Sequence, residues 1–236
     1  MIEVCGVFKK YGKQDALKGI TFNVPQGSIL GIAGANGAGK STLFDILATL
    51  DRKYKGEVVI EGLSARRDYY KIRRILGYVP GNFSLYPDLT IMENISFFAQ
   101  MYGSKPISYC ESPFWESLKD FSNTRADRLS GGMKQKLSII CAMVHSPKIL
   151  LLDEPTTGID YLSRKAIWEE LKKLKERGIT IIASTHYYEE FNYMDTLLLL
   201  HEGNELLYSS IEDIRGDSEG SDVFYQDFLS RCLIQL

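Results

Sequence analysis

The chain has 236 residues, with 28 lysines and arginines against 30 aspartates and glutamates and a formal net charge of −2. That length suits one large domain, or a domain carrying a subdomain, with ample material for a core. Balanced charge without a long basic run speaks against nucleic acid as the main ligand. The four cysteines, Cys5, Cys110, Cys141 and Cys232, show no C-x-x-C spacing. They read as isolated thiols in a reducing compartment, not as metal ligands or a disulfide frame. The longest apolar runs, such as 196–200, are too short to span a bilayer. Met1 leads directly into a strand-like stretch, so no signal peptide is visible.

Residues 2–8 and 20–24 are predicted strands. The polar stretch between them holds Tyr11 beside a glycine. On spacing alone Tyr11 reads as a surface or half-buried aromatic, with a stacking platform for a nucleobase as the alternative. The apolar run 28–33 then meets Gly34-Ala35-Asn36-Gly37-Ala38-Gly39-Lys40-Ser41-Thr42, followed by the helical pattern 43–48. Strand, glycine-rich loop and helix is the context in which G-x-x-x-x-G-K-[ST] marks a nucleoside-triphosphate site. Three glycines let backbone N–H groups converge on one anion at the positive end of a helix. Lys40 supplies a charge for the terminal phosphates, and the Ser41 hydroxyl suits Mg²⁺.

Further on, 56–62 and 75–80 are predicted strands separated by a basic, helical segment from Arg66 to Arg74. A helix is expected over 88–102, with Thr90 as N-cap and Glu93 closing a capping box. Residues 103–128 are irregular, broken by Pro106 and Pro113, with one or two helical turns near Trp115. Residues from 83 to about 145 therefore read as a mostly helical insert in an α/β chain.

Leu129-Ser130-Gly131-Gly132-Met133 opens the next helix, capped by Ser130. Leu137, Ile140, Cys141 and Val144 form its apolar face. A pair of glycines in a first turn costs roughly 1 kcal/mol each against alanine. Bare backbone there would let an anion approach the helix N-terminus. Next, Ile149-Leu150-Leu151-Leu152 reads as a strand buried on both faces, ending in Asp153-Glu154. Ligands of open α/β sheets bind at that end. One acid suits a hydrated Mg²⁺ and the next suits orienting or deprotonating water. Asp160 caps a helix from Leu162 to about Arg177, closed by Gly178. Strand 179–185 then ends at His186, a candidate phosphate contact, whereas His145 and His201 read as structural. Strands at 196–200 and 205–208 follow. The tail from Asp222 carries Phe224, Phe228 and Cys232 at helical spacing.

Taken in order, these motifs resemble the ATP-binding cassette (ABC) ATPase family over about residues 2–215. The loop 34–42 looks like its Walker A, 129–133 like its signature and 149–154 like its Walker B with the catalytic glutamate. Residues 157–160 look like its D-loop, His186 like its switch histidine and Tyr11 like its adenine-stacking aromatic. The resemblance implies an α/β fold: a RecA-like P-loop NTPase core, an antiparallel β subdomain and an inserted α-helical subdomain at about 83–145. A helical tail would follow at 216–236.

The resemblance also implies a head-to-tail dimer closing on two ATP molecules. Gly34, Ala35, Asn36, Gly37, Ala38, Gly39, Lys40, Ser41, Thr42 and Tyr11 would bind ATP. Ser130, Gly131, Gly132 and Asp160 would complete the site of a second cassette subunit, identical or different. Ser41 and Asp153 would hold Mg²⁺. Glu154, His186 and Lys40 would be catalytic. Segments 83–90, 132–136 and 185–190 resemble export-type subunits, implying an integral membrane permease on a separate chain. Such a subunit would be cytoplasmic and peripheral on the inner face of the membrane, with no nucleic-acid partner. In one place the chain departs from the pattern: Gly81-Asn82 stands where the family has a glutamine that touches Mg²⁺. ATP binding is expected intact and turnover slow. The competing readings are a soluble cassette acting on nucleic acid or ribosomes and a regulatory cassette with little or no turnover.

Overall fold

Among residues 1–104 and 112–215, which the computed structural model describes, ten strands form two sheets. The smaller is antiparallel, in the order β2 (Gln14–Val24), β1 (Ile2–Tyr11), β4 (Lys55–Ile60), β5 (Leu63–Ser64). The larger runs β10 (Asn204–Ser210), β9 (Thr196–His201), β3 (Ile29–Ala33), β8 (Thr180–Ser184), β7 (Ile149–Leu152), β6 (Leu76–Val79). Its five strands from β9 to β6 are parallel, and β10 is antiparallel at the edge.

Strand alternation explains two cores. Leu150 and Leu152 of β7 face one cluster with Ile181, Ala183, Leu197 and Leu199. Ile149 and Leu151 face the other with Leu30, Ile32, Ile182 and Leu198. The second cluster also takes Leu43, Phe44 and Leu47 of α1 (Lys40–Leu47) and the inner residues of the antiparallel sheet. The first is covered by α3 (Ile91–Tyr102), α4 (Gly131–Met143) and α5 (Tyr161–Glu176). A strand covered on both faces has no solvent side, which is why β7 reads as an unbroken aliphatic run.

The helix caps match the sequence expectations. Thr90 and Glu93 form a reciprocal capping box on α3, Ser130 accepts from the Met133 N–H, and Asp160 accepts from the Ser163 N–H at 3.0 Å. Asn94, fully buried, bonds the Tyr86, Leu89 and Thr90 carbonyls at 3.0–3.2 Å and accepts from the Tyr86 N–H, so it fixes the segment entering α3.

Two expectations need correction. The strands β1 and β2 run on to Tyr11 and back from Gln14, where a long polar connection was expected between 8 and 20. Ladder hydrogen bonds and the ion pair of buried Lys9 with Asp51 sustain polar residues there. The segment from Arg66 to Arg74 forms only one short helix, α2 (Tyr69–Arg73), preceded by β5. Around Trp115 the chain makes two short 3₁₀ turns. After β10 a short helix, α6 (Ile211–Arg215), completes the described chain. Cys110 and the helix expected in the tail lie outside the described residues.

Candidate nucleotide site

The loop after β3 turns sharply because two of its glycines leave no room for a side chain. Gly34 has φ +151°, and a Cβ there would sit 2.3 Å from the Leu200 carbonyl oxygen. Gly39, φ +108°, caps α1, and its Cβ would sit 2.7 Å from the Ala16 carbonyl oxygen. The β1–β2 hairpin thus presses on the base of the loop, and the same hairpin carries Tyr11 at its tip. Tyr11 is 48% exposed, its hydroxyl donates to Asp51 at 3.3 Å, and Lys9 Nζ lies 4.6 Å from its ring centre.

Lys40, the first residue of α1, is 5% exposed. Its ammonium donates to the Gly34 and Ala35 carbonyls at 2.7 and 3.2 Å and lies 3.8 Å from Glu154 Oε1. Burial pulls its pKa down, against the opposing pull of the Glu154 and Asp153 carboxylates. A cation held dry and imperfectly compensated gains from a phosphate oxygen.

The acids stand at the carboxyl end of β7. Ser184, fully buried at the end of β8, bridges them: its hydroxyl donates to Asp153 Oδ1 at 2.6 Å and accepts the Glu154 N–H at 2.7 Å. Glu154 adopts φ +51°, a conformation costly for a residue that carries a Cβ and found where function fixes geometry. Its Oε1 lies 2.6 Å from His186 Nε2 and its Oε2 accepts from the Thr157 hydroxyl at 3.3 Å. The structure therefore brings Lys40, Glu154 and His186 together at the loop, although they are far apart in sequence. Burial, reinforced by Asp153 and Asp45, pushes the Tyr78 phenol well above its usual pKa, so it stays neutral beside the acids.

Among the described residues no group of three or more His, Cys, Asp or Glu gathers as a metal site. A buried carboxylate at Asp153 and a hydroxyl at Ser41, in the first turn of α1, are hard oxygen donors too few to hold an ion alone. That set fits Mg²⁺, which keeps waters and completes its shell with phosphate oxygens. A Cβ at Gly81 would lie 3.3 Å from the Asp153 carbonyl oxygen, so the residue that departs from the expected glutamine borders Asp153 itself.

The nearest neighbours of Gly131 and Gly132 belong to residues 158–163, not to the loop 34–42. Gly131 is exposed, as bare backbone for a ligand requires. Gly132 is buried, and its Cβ would sit 3.1 Å from the Ser163 Cβ. Its glycine thus also suits close packing of α4 on α5, a reason the sequence reading did not include. Asp160 stands beside them as the cap of α5. Sequence reasoning also missed Ser184, whose only signal was a hydroxyl ending a strand next to His186.

A glycine loop that opens a helix, with a pair of acids at the carboxyl end of another strand of the same parallel sheet, defines the P-loop NTPase class. The chain belongs to the ABC transporter family, which its residues 17–157 match. It is 34% identical over 228 residues to the probable multidrug ABC transporter ATP-binding protein YbhF of Escherichia coli K12, covering 94% of this chain and 39% of that protein. It is 33% identical over 219 residues to the linearmycin resistance ATP-binding protein LnrL of Bacillus subtilis, covering 91% of this chain and 70% of that protein. The chain thus spans well under half the length of YbhF. Its fold resembles a dimeric ATP-binding cassette in a post-hydrolysis state bound to ADP and Pi, with a TM-score of 0.80, 29% identity and coverage of 90% of this chain and 99% of that one.

Proposed function

We propose that this chain binds and hydrolyses ATP to power export through a membrane permease on a separate chain. The observation that carries the reading is the meeting of Lys40, Glu154 and His186 at the mouth of the glycine loop. In this reading the loop N–H groups and the α1 terminus hold the phosphates, and Tyr11 stacks on adenine. Mg²⁺, held by Ser41 and Asp153, would neutralise phosphate charge. Glu154 orients or deprotonates the attacking water, His186 contacts the γ-phosphate, and Lys40 stabilises charge developing there. Ser130, Gly131, Gly132 and Asp160 serve the site of a second cassette. Residues 1–215 act as the ATPase unit, with about 83–145 as its helical insert.

Export is supported by the relatives named for multidrug transport and linearmycin resistance. No helix among the described residues is long and apolar enough to cross a membrane. The exposed Tyr86, Phe97, Met101 and Tyr102 on and beside α3 offer the permease an apolar surface. Placed on the cytoplasmic face, the cassette would meet the permease there.

Slow turnover is expected because Gly81 gives Asp153 no side-chain neighbour at that position. Phosphate release by purified protein tests the reading. Glu154→Gln should lower the rate by roughly 10²-fold or more, as loss of a general base does, while ATP binding persists. Equal rates for the two proteins would defeat it.

A further inference from the structure

His186 reaches Glu154 from a turn whose two flanking residues are both fastened. Thr185 is 1% exposed, and its N–H donates to the Ile32 carbonyl at 3.2 Å. Its hydroxyl accepts the Tyr187 N–H at 3.0 Å and donates to Oε2 of Glu190. Glu190 is 3% exposed, and its own N–H donates back to the Tyr187 carbonyl at 3.2 Å. The Arg164 guanidinium, on α5, lies 3.8 Å from the centre of the Tyr187 ring. A closed ring of bonds thus surrounds the backbone of His186 while its imidazole stays a third exposed and free to face a ligand.

Burying a carboxylate is costly, and Glu190 is incompletely compensated: its Oε1 has no partner among the described residues. Packing alone would favour an apolar residue there. What the carboxylate does supply is a fixed acceptor that orients the Thr185 hydroxyl, leaving its lone pair for the Tyr187 N–H.

We propose that Glu190, acting through the Thr185 hydroxyl, is a positioning residue that sets the turn on which His186 meets the γ-phosphate. The inference rests on the role given to His186 above. Misplacing a catalytic group by about 1 Å costs up to about 100-fold in rate, so the effect belongs on kcat.

The test is steady-state ATP hydrolysis by the full chain and its variants, with far-UV circular dichroism and Tm recorded for each. His186→Ala first tests the parent reading: turnover equal to wild type would overturn that reading, and the positioning role with it. Given a loss in His186→Ala, Thr185→Val and Glu190→Ala should lower kcat roughly 10- to 100-fold. Their KM for ATP should stay within about twofold of wild type, because binding is made elsewhere. Thr185→Ser and Glu190→Gln keep the donor and the acceptor and should retain near-wild-type kcat. Wild-type kcat in folded Thr185→Val would overturn the proposal while leaving His186 catalytic. So would a loss in Thr185→Ser as large as in Thr185→Val, or a lower Tm unaccompanied by any change in kcat.

Discussion

Lys40, Glu154 and His186 show how much chemistry depends on one-residue geometry. The loop and the acid pair are legible in sequence because their spacing reports chain geometry directly. Ser184 bridging Asp153 and Glu154 is not, since it comes from a strand about thirty positions on. Nor is the positive φ of Glu154, which only the assembled neighbours impose. At Gly39 sequence and structure agree on the residue and the structure adds the reason: a left-handed backbone against the Ala16 carbonyl. Gly39→Ala should therefore cost on the order of 1–3 kcal/mol of stability from backbone strain. It should also abolish ATP binding, read together by thermal unfolding with and without nucleotide. Unchanged unfolding in both conditions would contradict that account.

At the scale of elements, helices were read well where caps announce them. Thr90, Ser130 and Asp160 each bond the backbone three residues on, a local pattern that sequence carries. Thr90→Ala should cost about 1 kcal/mol, seen as a lower urea midpoint with an unchanged slope. Strands at 2–8 and 20–24 were legible, but their extension to Tyr11 and back from Gln14 was missed, because its lysines and aspartate hide a ladder that depends on pairing, not on alternation.

His145 joins three elements. It stacks on Tyr102 at the end of α3, with ring centres 3.9 Å apart, and its Nε2 lies 3.2 Å from the Leu76 carbonyl of β6. Burial holds its pKa below 6.5, partly opposed by that carbonyl. The folded chain thus resists a proton that the unfolded chain accepts, so stability is full above 6.5 and falls as the pH drops below it. Thermal unfolding from pH 7.5 down to 5.5 should show that loss, and His145→Phe, which keeps a stacking ring, should flatten it. An identical pH slope in the variant would assign the loss to other groups.

Across the whole molecule, the parallel sheet was legible from apolar runs, and the family resemblance supplied the antiparallel sheet that wraps α1. Strand order was not, because it is set by packing between segments distant in sequence. The atoms nearest to a Cβ at Gly131 or Gly132 belong to residues 158–163 and not to the loop 34–42, which fits the proposal of a site completed by a second cassette. That is the central claim, and the most direct test is phosphate release per molecule over a hundredfold range of protein concentration at saturating Mg-ATP. Two half-sites predict specific activity that rises with concentration and then levels off as dimers fill. Specific activity that is constant down to the most dilute sample would show a site complete within one chain and contradict the account.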